Sequence, residues 1–338
     1  MAEYKRLGGI PATRQDIKWR KEHVKSMIIH YPQYNETLEL LEDIIYHAEG
    51  SVNPDQLFIY GPTGVGKSTV TREFTDRYPI EQVNDSQKKY KRIPVLHMKV
   101  PPKATPKSLA SKILHKIGDP FYSQGTEIQL TSRIHHFIEE LEIKMIILDE
   151  FQHLIDSDTE HVLATAANWV KTFSEESGIP IVLCGMPSSI HIFEKEEQLD
   201  RRYASKLAIE PFHYTTPEEQ LLFRAFLNKI ESGLPFPDRS HLSDVRIADK
   251  LYYISLGVPF YIMKLLELGT EIALKDGEDK ITEVHFQEAL SRLKQVSRPF
   301  RTNPFNIKQF NLEEELSQEK KRWVKEHEPV EGKRKRRK

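Results

Sequence analysis

A short segment near the start of the chain has the residue types and spacing that bind phosphate. It runs Gly61-Pro-Thr-Gly-Val-Gly-Lys-Ser68 and matches the pattern G-x-x-x-x-G-K-[ST] at every fixed position. Its glycines allow the backbone to wrap tightly, so that N–H groups point at phosphate oxygens. The Lys67 ammonium is expected to reach the β- and γ-phosphates of a nucleotide, and the Ser68 hydroxyl to ligate Mg²⁺. The predicted nucleotide-binding residues are Gly61, Pro62, Thr63, Gly64, Val65, Gly66, Lys67, Ser68 and Thr69, with Thr69 at the α-phosphate.

Two acids after an apolar run supply the carboxylates that such a site needs. Met145-Ile-Ile-Leu-Asp149-Glu150 predicts a buried strand that ends in this acidic pair. Adjacent side chains of a strand point to opposite faces, but the strand is ending here, which allows both carboxylates to face a nucleotide. Asp149 is expected to hold Mg²⁺, directly or through water, and Glu150 to act as the general base on the attacking water. A Glu directly after the Asp favours hydrolysis over phosphoryl transfer to a metabolite. For Gln152 and His153, two interpretations stay open: coupling of Glu150 to a bound ligand, or a surface loop.

Strand and helix patterns alternate around these two motifs. Apolar runs predict strands at Gln56–Tyr60, Pro94–Lys99, Lys144–Asp149, Pro180–Cys184 and Leu207–Glu210. Helical patterns lie at Lys67–Tyr78, Pro106–Ile117, Thr131–Leu141 and His161–Ser177, after a first helix from Asn35 to near Gly50. Strands that alternate with helices predict an α/β domain with a mostly parallel sheet. The phosphate segment therefore lies between a strand and a helix, whose positive N-terminal end favours anions.

The second half of the chain has a different pattern. After Pro211 the strand patterns stop, and four helices are predicted at Pro217–Ile230, Val245–Ser255, Pro259–Leu274 and Glu283–Val296. From Ser297 the apolar pattern fails, which predicts a charged tail without a packed element of its own. The predicted organisation is an N-terminal arm with one short helix (1–33), an α/β nucleotide-binding domain (34–212), a small all-α domain (213–296) and a charged tail (297–338).

Composition narrows the class of protein. The chain has 338 residues, 38% of them hydrophobic, with 49 Lys+Arg against 50 Asp+Glu. This length favours one large and one smaller domain, and the composition excludes a disordered protein. Cys184 is the single cysteine, so an intrachain disulfide and a multi-cysteine zinc site are excluded, and a reducing, cytoplasmic setting fits. No apolar run reaches the length of about 18 residues that a membrane-spanning helix needs, so no membrane partner is expected.

The near-zero net charge conceals charged segments of opposite sign. Between Ser86 and Arg133 ten Lys and Arg residues stand against Asp119 and Glu127, a balance of +8, whereas the stretch from Glu139 to Glu160 is acidic. The chain ends in the basic sequence KRKRRK. Such segregation can produce separate basic and acidic faces. For the basic end two interpretations stay open: a tether for DNA or a protein partner, or a solubilising terminus.

Four segments together resemble the AAA+ ATPases. They are the phosphate loop GPTGVGKST, the strand MIILDEFQHL, the strand IPIVLCGMPSS and the stretch QLDRRYASKLAIEPF. With VPPKATPKSLASKIL after the second strand, they resemble more narrowly the TnsC/TniB group of DNA-transposition regulators. The resemblance covers roughly residues 30–295. It implies an AAA+ P-loop NTPase fold, a parallel sheet flanked by helices and followed by a small all-α lid, with ATP and Mg²⁺ as cofactors.

The same resemblance assigns further residues. Arg201 and Arg202 lie where AAA+ proteins place the arginine finger, which reaches the γ-phosphate held by a neighbouring subunit and so implies a homo-oligomer. The resemblance does not choose between them, and a surface pair of arginines in salt bridges is the alternative. Two positions depart from the family pattern. Cys184, or nearby Ser188, stands where a polar sensor residue is usual, and Lys264 is the cation nearest to the second sensor position. Both departures fit a slow ATPase.

The basic segment resembles the part of the transposition family that lines the oligomer's pore and follows duplex DNA. The residues that correspond are Lys99, Lys103, Thr105 and Lys107, with Arg133 as a weaker candidate. Long basic side chains and a hydroxyl suit phosphate contacts, which carry no sequence information, so the expected binding is sequence-independent and salt-sensitive. A basic face that is only solvated is the alternative.

The resemblance implies an ATP-dependent regulator of DNA transposition. It is expected to assemble as a ring or filament on target duplex DNA and to connect a target-selection protein with a transposase. ATP hydrolysis is expected to disassemble it. Two other functions stay open: an AAA+ replication initiator or helicase loader, and a signalling NTPase that does not bind DNA.

Overall fold

The structure is a computed structural model that describes residues 4–84, 89–155, 160–299 and 301–327. The chain forms two compact units. One unit is Tyr31–Glu210, and the other combines the described residues of Met1–His30 and Pro211–Lys338. The first is called the α/β unit below and the second the helical unit.

The helices and strands of the described residues are as follows. The strands are β1 (Leu57–Tyr60), β2 (Glu81–Asn84), β3 (Lys89–Arg92), β4 (Val95–Lys99), β5 (Met145–Asp149), β6 (Ile181–Gly185) and β7 (Ser205–Ala208). The helices are α1 (Arg14–Ser26), α2 (Pro32–Ala48), α3 (Lys67–Asp76), α4 (Pro106–Ile117), α5 (Glu127–Glu140), α6 (Gln152–Ile155), α7 (Glu160–Glu176), α8 (His191–Lys195), α9 (Glu197–Arg202), α10 (Pro217–Gly233), α11 (Val245–Ser255), α12 (Pro259–Lys275), α13 (Glu283–Arg292) and α14 (Leu312–His327).

The α/β unit is built on a five-stranded parallel sheet with the order β4-β5-β6-β1-β7. Strand β6 lies between β1 and β5, so the strands that precede the phosphate loop and the acidic pair are separated by one strand only. The carboxyl ends of parallel strands meet at one edge of a sheet. The sheet order therefore brings the two motifs, which are far apart in sequence, to the same edge. Strands β2 and β3 form a separate antiparallel hairpin.

The sheet lies in the core of the α/β unit because its central strands are apolar up to Asp149 at the end of β5. Every residue of β5 and of β6 is buried, as expected for a parallel strand covered on both faces. Helix α4 shows why the flanking helices form where they do. Thr105 caps its first turn by accepting from the Ser108 N–H, Pro106 occupies the first helical position, and Gly118 ends it in the left-handed conformation. Its spaced apolar side chains, among them Leu109 and Ile113, are fully buried.

The helical unit includes the N-terminal arm, which the sequence analysis treats as a separate segment. Arg20 in α1 is 3% exposed and donates to the carbonyl oxygens of Pro235 at 3.0 Å and Lys5 at 3.3 Å. Lys21 donates to Glu271 of α12 at 2.6 Å. The contacts of Arg20 with Pro235 and of Lys21 with Glu271 join residues more than 200 positions apart, and for that reason no local pattern could predict them.

The segment after Ser297 is packed, which corrects the prediction that it lacks an element of its own. Nη2 of Arg298 donates to Oε2 of Glu319 in helix α14 at 2.6 Å. The same arginine also donates to the carbonyl oxygen of Tyr253. Phe305 stacks on Phe286 with ring centroids 5.2 Å apart. These anchors lie at irregular spacing along the segment, so they leave no periodic apolar pattern. The described part of the predicted tail, up to residue 327, therefore belongs to the helical unit.

The prediction of a parallel sheet flanked by helices and followed by an all-helical region is confirmed. The bounds of α4 and α11 agree residue for residue with the predicted ones. The hairpin of β2 and β3 was not predicted, because its short charged strands have no apolar alternation. Among the described residues no single helix is long and apolar enough to cross a membrane, although α11 and α12, bent by 113°, pass that test of length and composition as a pair.

Candidate nucleotide-binding site

The phosphate segment forms a tight loop between β1 and α3. Gly66 caps α3 with a φ of 110°, and the loop residue Val65 is fully buried beneath it. The Tyr31 hydroxyl donates to the Val65 carbonyl oxygen at 3.1 Å. A Cβ atom on Gly61 would lie 2.1 Å from the carbonyl oxygen of Ile209, so this position admits glycine alone. Tyr31 is a contributor that the sequence analysis missed, since 34 positions separate it from the carbonyl that it holds.

The Lys67 side chain lies over the loop. Its Nζ donates to the carbonyl oxygens of Gly61 at 2.6 Å and Pro62 at 2.9 Å. Burial lowers the pKa of Lys67, while the negative charges of Glu150 and Asp149 act in the opposite direction. The ammonium is therefore within the electrostatic range of both carboxylates, as expected for a single site.

Asp149 presents a buried carboxylate at the end of β5. The residue is 1% exposed, and its Oδ1 accepts from the Glu150 N–H at 2.9 Å. Its Oδ2 is buried and has no hydrogen-bond partner among the described residues. A buried carboxylate oxygen without a donor is unfavourable unless a cation or donor reaches it. This oxygen, with the Ser68 hydroxyl in the first turn of α3, fits Mg²⁺, which prefers oxygen ligands.

Glu150 has an unusual backbone conformation. Its φ is +58°, in the left-handed region that residues with a Cβ rarely adopt. The strand alternation that ends at Asp149 is therefore broken at once, and the chain turns into α6. Such conformations cluster at functional sites, where surrounding structure holds them in place.

The loop after β6 completes this edge of the sheet. Thr63 donates its hydroxyl to the Met186 sulfur at 3.3 Å, and the Gly61 N–H donates to the Gly185 carbonyl oxygen at 3.3 Å. Cys184, at the position of the expected sensor, is fully buried, and burial raises the pKa of its thiol well above the ordinary value. A buried neutral thiol is a poor polar sensor. Ser188 lies in a short 3₁₀ turn, outside strand β6.

The Gln152 side chain contacts both Glu150 and Met186 at this edge of the sheet. Its Nε2 donates to Oε2 of Glu150 at 2.5 Å, and its Oε1 accepts from the Met186 N–H at 3.2 Å. From the sequence, two interpretations of Gln152 stay open: coupling of Glu150 to a bound ligand, or a surface loop. These two bonds place it in contact with the predicted general base.

The two arginines of α9 have different environments. Arg202 is bound within its own subunit, since its Nε donates to the Ser174 hydroxyl at 2.9 Å and a second nitrogen donates to the Ser174 carbonyl oxygen. The Arg201 side chain is 75% exposed and pairs with Glu197 one helical turn away. An exposed pair of this kind is weak. Arg201 is thus the arginine whose guanidinium is available to a neighbouring subunit.

The four predicted DNA contacts lie at the end of β4 and the start of α4. The side chains of Lys99, Lys103 and Lys107 are exposed, and none forms an ion pair with another described residue. Lys103 has a φ of +55°. The Thr105 hydroxyl, in contrast, accepts from the Ser108 N–H at 3.2 Å as a helix cap.

Arg133 is not free for such a contact. It pairs with Asp119 at 2.5 Å and donates to the carbonyl oxygens of Phe121 at 2.6 Å and Gln124 at 2.9 Å. These bonds fix the loop between α4 and α5. The weaker DNA candidate of the sequence analysis is therefore a structural residue.

Lys264, the cation nearest to the second sensor position, lies in the helical unit. Its Nζ donates to Glu267 at 2.8 Å. This bond occupies the ammonium within its own helix α12.

Replication proteins are among the solved structures and curated proteins to which the chain is similar. The chain is similar to the ORC1 protein of Aeropyrum pernix in complex with DNA, at 17% identity and a TM-score of 0.57, covering 81% of this chain and 69% of that one. It is also similar to the Aeropyrum pernix ORC2 protein in its ADPNP–ADP complexes, at 16% identity and a TM-score of 0.59, covering 80% and 72%. These similarities show the AAA+ fold.

Two curated relatives are both named as ORC1-type DNA replication proteins. An ORC1-type DNA replication protein 1 of Sulfurisphaera tokodaii is 25% identical over 291 residues, which are 82% of this chain and 67% of that protein. An ORC1-type DNA replication protein of Pyrococcus abyssi is 23% identical over 274 residues, 78% of this chain and 62% of that protein. The chain thus spans about two thirds of their length.

A family model gives the narrower assignment. The model described as "Bacterial TniB protein" matches residues 20–213, which include the phosphate loop, the acidic pair and both arginines of α9. This match covers more than half of the chain and the whole sheet of the α/β unit. The chain belongs to the bacterial TniB family.

Proposed function

We propose that this protein is an ATPase that regulates DNA transposition by assembling on target duplex DNA. One observation carries the proposal: a chain of the TniB family places Lys67 and the partnerless carboxylate oxygen of Asp149 at one edge of its sheet, with Glu150 beside them. That arrangement suits a triphosphate with its metal ion, and Glu150 suits activation of water.

The residues of the site divide the work of hydrolysis. Loop N–H groups and Lys67 would bind the phosphate oxygens, where negative charge develops as the bond between the γ-phosphorus and the oxygen of the leaving ADP breaks. Ser68 and Asp149 would hold Mg²⁺, which neutralises charge on the β- and γ-phosphates. Glu150 orients a water molecule and takes its proton as the water oxygen attacks phosphorus. The products are ADP and phosphate.

Assembly would complete the site. The exposed Arg201 suits an arginine finger for the nucleotide of a neighbouring subunit, whereas Arg202 is held by Ser174. ATP bound between subunits would hold them together, and its hydrolysis would release them. The rate of ATP hydrolysis would therefore determine how long the assembly lasts.

Lys99, Lys103 and Lys107 would contact the DNA phosphates. Their exposure supports this role, and so does the similarity of the fold to an ORC1 protein whose structure was solved with DNA. Contacts of lysine with phosphate are independent of sequence. Choice of the target would then come from a target-selection protein, and chemistry on DNA from a transposase.

Replication initiation is the second candidate function, because curated relatives at 25% and 23% identity are ORC1-type replication proteins. The two candidates share the ATPase site and differ in the partner. We favour transposition because the family model covers the catalytic motifs.

The test combines imaging with a functional assay. Negative-stain microscopy with duplex DNA and a non-hydrolysable ATP analogue should show rings or filaments that ADP does not support. Integration by the cognate transposase into target DNA should then depend on this protein and ATP. Assembly without any effect on integration, together with loading of a replicative helicase, would favour replication. ATP turnover without a mobility shift on duplex DNA would favour a signalling NTPase.

A further inference from the structure

We propose that Gln152 is a positioning residue that holds the Glu150 carboxylate and links it to the loop after β6. The inference rests on the proposed ATPase function. It concerns how that activity is controlled within the α/β unit.

The two hydrogen bonds of Gln152 fix the orientation of its amide. The Met186 N–H can only donate, so it meets the amide oxygen, and Oε2 of Glu150 accepts from the NH₂ group. One orientation satisfies both partners, and the flipped amide satisfies neither. A side chain that can only donate or can only accept could not make this bridge.

Glu150 needs such a restraint. Its backbone has a φ of +58°, and its side chain has several rotatable bonds, so an unheld carboxylate would sample many positions. General-base catalysis requires the carboxylate within hydrogen-bond reach of water. Gln152 lies in the first turn of α6, and the Phe151 N–H between the two residues donates to the Cys184 carbonyl oxygen at 2.8 Å. The bridge is therefore anchored on β6 by backbone as well as side chain.

The packing around the bridge is close. A Cβ atom on Gly185 would lie 3.4 Å from Oε1 of Gln152 and 2.8 Å from the Ser189 hydroxyl. The hydroxyl of Ser189 is itself buried without a partner among the described residues. Any movement of this loop would therefore displace Gln152 along with Met186.

The bridge connects the general base to two other parts of the site. Met186 also contacts Thr63 of the phosphate loop, at 3.3 Å. The chain after Met186 continues through α8 to α9, which carries Arg201. A neighbouring subunit that contacts α9 would thus act on the segment that begins at Met186. Met186 holds Gln152, and Gln152 holds Glu150.

The decisive experiment is a double-mutant cycle measured on the full chain with DNA. Gln152→Ala should lower kcat for ATP about tenfold or more, a fraction of the 10²–10⁴ that a general base contributes, and leave ATP affinity unchanged. In the Glu150→Gln background the same change should have no further effect on the residual rate, because Gln152 acts through Glu150. Gln152→Glu, which keeps the shape but puts a like charge beside Glu150, should lose as much activity as Gln152→Ala.

Each contrary result has its own meaning. If Gln152→Ala and Gln152→Glu both keep the parental kcat while Glu150→Gln is inactive, Gln152 positions nothing and the inference is overturned. Additive losses in the cycle would overturn it as well, since a general structural defect would persist without the Glu150 carboxylate. Full turnover by Glu150→Gln would instead overturn the proposed role of Glu150, and the inference with it. ATP affinity, measured with a fluorescent analogue, separates a folding defect from loss of positioning.

Discussion

The Val100 N–H donates to the backbone carbonyl oxygen of Asp149 at 2.8 Å, which joins the residue after β4 to the backbone of the residue whose carboxylate suits Mg²⁺. A second bond, from the Ala104 N–H to the His153 carbonyl oxygen at 3.1 Å, continues this contact. The loop between these bonds carries Lys103. The segment with the proposed DNA contacts is therefore hydrogen-bonded to the segment with the proposed hydrolytic residues. We expect DNA and nucleotide to affect each other through these backbone bonds.

Replacing Lys67 tests the phosphate loop. Lys67→Ala should weaken ATP binding roughly hundredfold, because hydrogen bonds to charged groups each contribute about 1.5–3 kcal/mol. Nucleotide-dependent assembly on DNA should disappear with it. Lys144→Ala is the control, since it removes a lysine at the opposite end of β5. Equal ATP affinity of Lys67→Ala and the parent chain in calorimetric titration would exclude the assigned site.

Complementation tests Arg201. Arg201→Ala should reduce ATP turnover at least about hundredfold, since an arginine finger contributes 10³–10⁵, while ATP binding persists. Lys67→Ala binds ATP weakly but retains Arg201, so at an ATP concentration that saturates only Arg201→Ala its own site stays empty. A mixture of the two inactive variants should regain turnover, because the second variant supplies the arginine to the first. A mixture as inactive as its components would argue against a finger in trans.

Arg202 is the matched control for that experiment. Its bonds to Ser174 lie within the subunit, so Arg202→Ala should lower thermal stability by about 1–3 kcal/mol. Turnover of the folded fraction should stay near the parental rate. A large loss of turnover without a change in melting temperature would reverse the assignment of the two arginines.

The salt dependence of DNA binding tests Lys103 and Lys107. Lys103→Asn suits the left-handed backbone at this position, and Lys107→Gln keeps the helix, so both remove charge with little structural change. The slope of log K against log salt concentration should fall by about 0.9 for each lysine. Thr105→Ala should leave this slope unchanged and cost about 1 kcal/mol of stability, because its hydroxyl caps α4. An unchanged slope in the double lysine variant would place the DNA surface elsewhere.

Acid should weaken the attachment of α1 to α12. Hydrogen bonds from Lys21 and Lys275 lower the pKa of Glu271 to about 2, below its ordinary value of 4.5. Because the folded state holds the carboxylate ionised, this contribution to stability is complete above pH 4.5 and is lost as pH falls toward 2. Glu271→Gln should therefore melt earlier at pH 7 and show a shallower loss between pH 5 and 2. Glu22→Gln, on the exposed face of α1, should follow the parent chain in calorimetry.

The sequence was sufficient for the parts of this protein that local pattern determines. Strand β5 with Asp149 and helix α4 were predicted because apolar runs, capping residues and glycines each act over a few positions. The parallel direction of the strands followed from alternation of strands with helices, whereas their order in the sheet was not predicted. The phosphate loop could be placed because its chemistry demands fixed residue types at fixed spacing.

Contacts between distant residues could not be predicted in this way. Gln152 and Met186 are 34 positions apart, and Arg298 reaches Tyr253 across 45. The preference for Arg201 as the finger depends on the hydrogen bond of Arg202 to Ser174, which lies 28 positions before Arg202. None of these contacts produces a periodic pattern in the sequence, because each depends on how helices, strands and loops pack against one another.

The helical unit is assembled from both ends of the chain, and this dictates an order of events during synthesis. The α/β unit is one continuous stretch, so all its residues are available once Glu210 has left the ribosome. Helix α1 is made first but must wait for α12, because Lys21 and Glu271 are 250 positions apart. Helix α14 joins the same unit last, through Arg298 and Glu319. Helix α1 is thus without this partner until α12 has been made, and a ribosome that stalls within α12 would leave a folded sheet with an unfinished helical unit.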